Sequence, residues 1–316
     1  MRTISQAFHD FISDLELKDR EQSDAKTQHA YLREKLQQKM DVEDNFLSGS
    51  YARNTATRPL NDIDIFLVLR PSQSMGPQSA PSSVLTQVKR ALEEIHHGKT
   101  AIVQSRSVNI EFSGTGIAYD IVPAYLDRDD VYRIPDRDVN DWILTNPRRH
   151  KEMSTEANER AGKMLKPLLK AVKRSNYEHR GTDESKPARS FHLEVLSWSI
   201  LTAKPADHLS GVITLLTGLA DKVCEPCPDP AGFGSAVQPS AARCRQAQTW
   251  LQSMLVLAQD AKQLSADGRT GEAHGQLREL FGADWPEKGT PSGKGSAGPA
   301  IIVGGGAPDD SRSRFG

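Results

Sequence analysis

Apolar positions along this chain change their period several times, and each change marks an element. Phe8, Phe11, Ile12 and Leu15 recur at helical spacing, and so do Tyr31, Leu32, Lys35 and Leu36 within a stretch, Asp24 to Met40, dominated by helix formers. After Asn45-Phe46-Leu47 comes a Gly49-Ser50 pair and a polar segment to Pro59. Ile63, Ile65, Leu67 and Leu69 then alternate with Asp62, Asp64, Phe66 and Val68, which predicts a strand. A Pro, Ser, Gln and Gly-rich loop from Pro71 to Pro81 leads to a helix expected over Ser82 to Ile95 with a serine cap. Val103 to Phe112 and Ile117 to Val122 read as two strands around the turn Ser113-Gly114-Thr115-Gly116.

Beyond Pro135 the pattern reads as helical. Leu165, Leu168, Leu169 and Val172 form an apolar stripe, and Lys163, Lys166, Lys170 and Lys173 a basic one. Pro167 either kinks that helix or marks its first turn. Further helices are expected over Phe191 to Leu201, Leu209 to Val223, Ala241 to Leu264 and Glu272 to Leu280. From Glu287 the chain is Gly, Pro, Ser and Ala-rich, with Ile301-Ile302-Val303 its one apolar patch, and is expected to be a mobile tail.

Composition narrows the class. The 316 residues are 37% hydrophobic and 26% charged, which suits a soluble globular protein, and no apolar run is long enough to span a membrane. With no signal-peptide pattern at the N-terminus, a cytoplasmic location is expected. A net charge of −1 excludes an argument from overall charge for a nucleic-acid scaffold. The stretch Arg148 to Arg189 is locally basic, with 12 Lys and Arg against 6 Asp and Glu, which suits either phosphates or a solvated helix face. Cys224, Cys227 and Cys244 do not form a disulfide framework, and Cys224-x-x-Cys227 lacks the four ligands of a structural zinc, so ordinary thiols are expected.

Candidate chemistry centres on acidic strand positions. Asp62 and Asp64 stand at i and i+2, so both carboxylates project from one face. They repel each other unless a cation lies between them, and Mg²⁺ is the hard ion that carboxylates and phosphates hold together. A D-x-D pair alone also fits a solvated strand face. Asp120 shifts the balance, because Ala118-Tyr119-Asp120-Ile121-Val122 is an apolar strand in which an unpaired charge is costly. Three such aspartates suit a two-metal site. Gly49 allows close backbone approach to a phosphate, and Ser50 adds a hydroxyl at a possible helix start.

Gly49-Ser50, Asp62-x-Asp64 and a later strand aspartate resemble the polymerase-β-like nucleotidyltransferase superfamily. GSYARNTATRPLNDIDIFLVL, YDIVPAY, TNPRRH, the helix ending Leu169-Lys170-Ala171-Val172-Lys173, Ser190-Phe191-His192-Leu193-Glu194, and Leu280-Phe281-Gly282-Ala283-Asp284-Trp285-Pro286 narrow the resemblance to the bacterial CD-NTases. That resemblance implies an α+β, two-lobed fold. A catalytic lobe with a mixed sheet would span 1–150, with the N-terminal helices packed on it. A helical lobe would span 151–286 and the tail 287–316.

It further implies that Asp62, Asp64 and Asp120 hold two Mg²⁺ ions, with Mn²⁺ as a substitute, and that Gly49, Ser50, Lys173 and Ser190 hold the triphosphate. The plainer alternatives are a solvated helix lysine for Lys173 and a helix cap for Ser190. Neither His192 nor Glu194 is assigned a role, and solvation is the expectation for Arg148, Arg149 and His150. Many relatives carry an aromatic residue soon after the lysine; here Arg174-Ser175-Asn176 follows, which leaves Tyr51 and Tyr177 as candidates for base stacking.

The implied activity is synthesis of a cyclic oligonucleotide second messenger from nucleoside triphosphates, ATP among them, in anti-phage defence. The resemblance leans toward an adenine-containing trinucleotide, and the product would act on a separate effector. A linear synthase or single-nucleotide transferase, and an inactive nucleotide-binding module, are the alternatives. Gly316 ends the chain, and the resemblance implies conjugation there by a ubiquitin-transfer-like partner as one reading and a plain tail as the other.

Overall fold

The computed structural model describes residues 2–72, 75–182 and 185–286. Two helices come first, α1 (Ile4–Leu15), held by a Thr3/Gln6 capping box, and α2 (Asp19–Lys39). Strand β1 (Val42–Leu47), the one-turn helix α3 (Gly49–Ala52), strand β2 (Asp62–Leu69) and helix α4 (Pro81–Ile95) follow. The expected serine cap of α4 is not what starts it. Pro81 opens the helix, and Ala80 before it makes no side-chain cap bond.

The single strand expected over Val103 to Phe112 is two, β3 (Ile102–Val103) and β4 (Val108–Phe112). Gln104 and Ser107 bond to each other through backbone (2.9 Å) and side chains (2.7 Å), which interrupts the extended run. Next come β5 (Ile117–Arg128), β6 (Val131–Asp136) and β7 (Asp141–Thr145), so the chain does not turn helical until α5 (Pro147–Arg160). Pro135 sits within β6 opposite Trp142 of β7. The remaining helices are α6 (Leu165–Glu178), α7 (Ser190–Ile200), α8 (His208–Lys222), α9 (Ala241–Ala266) and α10 (Thr270–Phe281). Pro167 falls in the first turn of α6, where its missing N–H costs nothing.

The strands form one mixed sheet ordered β1-β2-β5-β4-β3, with β6 and β7 added beyond β5. β2 and β5 are parallel and adjacent; the other pairs are antiparallel. Alternation divides the central strands cleanly. Ile63, Ile65, Leu67, Tyr119 and Ile121 bury against Val84, Leu85 and Val88 of α4 and Leu32 and Leu36 of α2. The opposite face carries Asp62, Asp64 and Asp120, followed by the small apolar cluster of Phe66, Val68, Val122 and Ala124.

A second core belongs to the helices, and α1 is part of it. Phe8 and Phe11 pack edge-on or tilted against Phe281 and Trp285 at centroid distances of 4.8–5.7 Å. This departs from the expectation that both N-terminal helices pack on the sheet: α2 does, but α1 does not. Burying an aromatic ring there is worth about 1.5–3 kcal/mol, and the sheet's apolar face is already covered by α2 and α4. The basic stripe of α6 is not a solvated face either. Lys163 lies before the helix, Lys170 is buried and pairs with Glu16 at 2.5 Å, and Lys173 reaches across to the Thr55 carbonyl at 2.7 Å.

Candidate active site

The site begins with the parallel pairing of β2 and β5, which sets Asp64 directly beside Asp120. Asp62, two residues earlier, shares their face. Ser48 donates its N–H to the Asp64 carbonyl at 2.8 Å, so the turn leading into α3 is laid against the same strand. Gly49 has φ of +61°, and a Cβ there would stand 1.6 Å from Asp64 Oδ2. A side chain is therefore excluded on two counts, backbone conformation and contact.

Charge is not balanced on this face. Burial, and then the neighbouring charges of Asp62 and Asp120, push Asp64 up to about 6. Asp120 is also raised, by burial first, against a hydrogen bond from Asn109 Nδ2 at 2.9 Å. Among the described residues no three acidic, histidine or cysteine side chains converge at metal-ligating separations. Asp64 lies against Gly49, and Asp120 accepts from Asn109. The donor set itself, three carboxylates on one face with Asp64 raised by both neighbours and Asp120 by Asp62, fits a hard divalent cation.

Across from the aspartates, a cleft of about 410 Å³ is closed by α6 and α7. Gly49, Ser50, Asp62, Asp64, Lys173 and Ser190 all line it. Asp120 is beside the cleft through its pairing with Asp64 and is not one of its lining residues. Lys173 is partly exposed there, and burial pushes its amine down to about 8 against the raising pull of Glu194. Ser190 is the first residue of α7 and caps nothing; the capping position is Arg189, which makes no side-chain cap bond.

Other expectations are corrected. Tyr51 packs against the core beneath the sheet, whereas Tyr177 lines the cleft with Arg174, Arg180 and Lys186 around its ring at 4.1–5.8 Å. Arg148 is exposed, as expected, and there pairs with Asp44 and Asp130, each at 3.1 Å, and covers the Phe46 ring. Arg149 pairs with Glu152 and Glu156. His150 is buried and bonds Asp229 at 2.6 Å. Against burial, this bond and the Gly234 N–H draw Asp229 down to about 2. Cys224 is exposed and Cys227 and Cys244 are buried, all three as free thiols. Gly316 and the 287–316 tail lie outside the described residues.

Arg53 and Glu194 escaped the sequence reading. Glu194 is 1% exposed and accepts from Arg53 Nε at 2.7 Å and from the Thr55 hydroxyl at 3.0 Å. Burial pushes its pKa up, yet Arg53, Lys173 and these hydrogen bonds bring it below the ordinary range. The signal was available. Glu194 interrupts the apolar helix Phe191 to Trp198 as Asp120 interrupts its strand.

Comparison with known proteins agrees with this geometry. Residues 1–158 match the Second Messenger Oligonucleotide or Dinucleotide Synthetase domain. A cyclic AMP-AMP-AMP synthase of Acinetobacter sp. is 34% identical over 207 residues, covering 61% of this chain and 57% of the relative, so the chain spans little more than half that relative's length. Vibrio cholerae DncV, in its apo form, superimposes with a TM-score of 0.72 at 14% identity over 90% of this chain and 96% of its own. The Escherichia coli CdnC:HORMA-deltaN complex gives 0.71 at 17% identity, covering 90% and 98%. These structural matches show the shared α+β, polymerase-β-like fold. No helix among the described residues is long and apolar enough to cross a membrane. The chain belongs to the Second Messenger Oligonucleotide or Dinucleotide Synthetase family, that is, to the bacterial CD-NTases.

Proposed function

We propose that this chain is a nucleotidyltransferase that joins nucleoside triphosphates, ATP among them, into a cyclic oligonucleotide second messenger for anti-phage defence. The observation that carries the reading is the cleft itself: Asp62 and Asp64 on one wall face Lys173 and Ser190 on the other. A volume of about 410 Å³ is within the range of small-molecule sites. Likeness to an adenine-using trinucleotide synthase supports ATP as a substrate. An activating protein partner belongs to the same proposal, supported by CdnC having been solved with HORMA-deltaN.

In this reading the catalytic lobe, 1–150, and the helical lobe, 151–286, meet within α5, which runs unbroken across position 150. Lys173, Ser190 and Ser50 hold the triphosphate of the donor. Lys173 keeps most of its positive charge at pH 7, since its amine titrates near 8. Asp62, Asp64 and Asp120 would hold magnesium, which would offset the negative charge that develops during the transfer. A ribose hydroxyl of the acceptor attacks the α-phosphorus and pyrophosphate leaves. After repositioning, the linear product's free ribose hydroxyl attacks the α-phosphorus of its own 5′-triphosphate, and a further pyrophosphate leaves as the ring closes. That last step is favoured because both ends are held together.

The test is incubation of the protein with the four nucleoside triphosphates and Mg²⁺ or Mn²⁺, phosphatase treatment, and mass analysis of what survives. A resistant cyclic mass, absent from the Asp64→Asn protein, is the expected result. Phosphatase-trimmed chains alone would assign a linear synthase. Nucleotide binding with no pyrophosphate release, even with an activating partner, would assign a regulatory module.

A further inference from the structure

Thr55 occupies an unusual position behind the cleft. It is fully buried, and its hydrogen bonds lead to three elements. Its N–H donates to the Ser50 carbonyl at 2.8 Å. Its carbonyl accepts from Lys173 Nζ at 2.7 Å. Its hydroxyl donates to Glu194 Oε2 at 3.0 Å. Arg53, 7% exposed, closes the set from the same loop, with Nε on Glu194 Oε1 at 2.7 Å and its guanidinium 4.9 Å from the Phe191 ring centroid.

Glu194 also has a direct geometrical link to the cleft. It stands four residues after Ser190 on α7, one helical turn along the same face. Fixing Glu194 therefore fixes the height and rotation at which Ser190 is presented. Thr55 meanwhile ties α3, which carries Ser50, to the amine of Lys173 on α6. The three groups of the proposed triphosphate site come from three separate elements, and each of those elements is fastened to the Arg53–Glu194–Thr55 cluster.

We propose that Glu194 is the positioning residue of the triphosphate site, acting through Thr55 and α7 to hold Ser50, Lys173 and Ser190 in one arrangement. The inference rests on the proposed function. Glu194 lines the cleft, but its two oxygens are taken by Arg53 and Thr55, so in this proposal it acts by position rather than by gripping phosphate. Its role is to make the three gripping groups arrive together. Preorganisation of this kind strengthens binding because the ligand does not have to order its own site.

The experiment is titration with α,β-methylene-ATP and Mg²⁺, a probe that cannot be cleaved at the α-phosphorus. It compares wild type, Glu194→Gln, Thr55→Val, Lys173→Met, and the two double variants that combine Lys173→Met with each of the others. Glu194→Gln is expected to weaken binding about tenfold and Thr55→Val about fivefold, the loss of one hydrogen bond to a charged group. Lys173→Met is expected to weaken wild type about thirtyfold but either partner variant only about threefold, because the groups act as one unit. Additive effects, or affinity within about twofold of wild type in the single variants that fold, would overturn the proposal and leave Glu194 a structural strut. Thr55→Val is isosteric and keeps the carbonyl that receives Lys173, so it decides the question if Glu194→Gln does not fold. Failure of the wild type to bind the probe would instead overturn the proposed function.

Discussion

Asp64 and Glu194 are carboxylates set into the two opposite walls of one cleft, and the protein shifts them in opposite directions. Asp64 is pushed up to about 6 by burial and by the charges of Asp62 and Asp120. Glu194 is more deeply buried yet lowered, because Arg53 and Lys173 lie near and Arg53 and Thr55 donate to it. The first wall sets like charges side by side; the second pairs each charge where it stands. Unpaired like charge on a rigid strand is an unfavourable arrangement that a cation relieves. Paired opposite charge in a core is an internal fastening. The contrast separates the residues proposed to do chemistry from those proposed to hold the machinery still.

The largest expected effect sharpens the first side. Asp62→Asn or Asp120→Asn should lower product formation about 10³-fold or more while leaving the unfolding midpoint unchanged or raised, since each removes repulsion and an Asn at 120 can still accept from Asn109. Retained activity in either variant, measured by mass analysis of product, would sink the metal-ligand assignment. Next comes the second side. Glu194→Ala should cost about 3–5 kcal/mol in chemical denaturation by leaving Arg53 buried without its partner. Arg53→Met combined with Glu194→Met should recover most of that loss. A Glu194→Ala protein as stable as wild type would show that the pair fastens nothing.

The smallest effect is in the pH dependence of metal-free protein. Asp64 titrates near 6 in the folded state against an ordinary 3.8, so the folded state holds the extra proton between those values. Its contribution to stability is present below about pH 4 and is lost as pH rises through 6. Glu194 and Asp229, both lowered, contribute in the opposite sense, with stability present above the ordinary carboxylate range and lost as pH falls into acid. The difference in Tm between wild type and Asp64→Asn isolates the first term. It should widen by about 3 °C from pH 4.5 to 7, and Mg²⁺ should narrow it at pH 7. A gap that does not change with pH would mean that Asp64 is not held under charge stress.

Legibility in the sequence followed local period and local cost. The alternation of Ile63 to Leu69 and the charge of Asp120 in an apolar strand were readable because each depends on a few adjacent residues. β6 and β7 were not, since a Pro at 135 and a five-residue strand such as Asp141–Thr145 carry too little pattern to outweigh their polar neighbours. Ser190 looked like a cap because serine prefers that place, yet Arg189 occupies it and the serine is left facing the cleft. Glu194 was passed over although the argument applied to Asp120 applied equally to it. Its partners, Arg53 and Thr55, lie about 140 positions away.

The amino-acid order alone, then, was enough to specify the acidic strand, its shared face, the glycine that must precede it and the family these belong to. Those features are written in spacings of two to four residues, which strand and helix geometry translates directly into direction. Tertiary packing decided which buried charges would be matched and which would stay opposed. It drew α1 into the helical core through Phe281 and Trp285, and it brought Lys173 and Glu194 against Thr55. Such pairings depend on which distant segments share space, and a carboxylate's neighbours through space, rather than along the chain, set the sign of its shift.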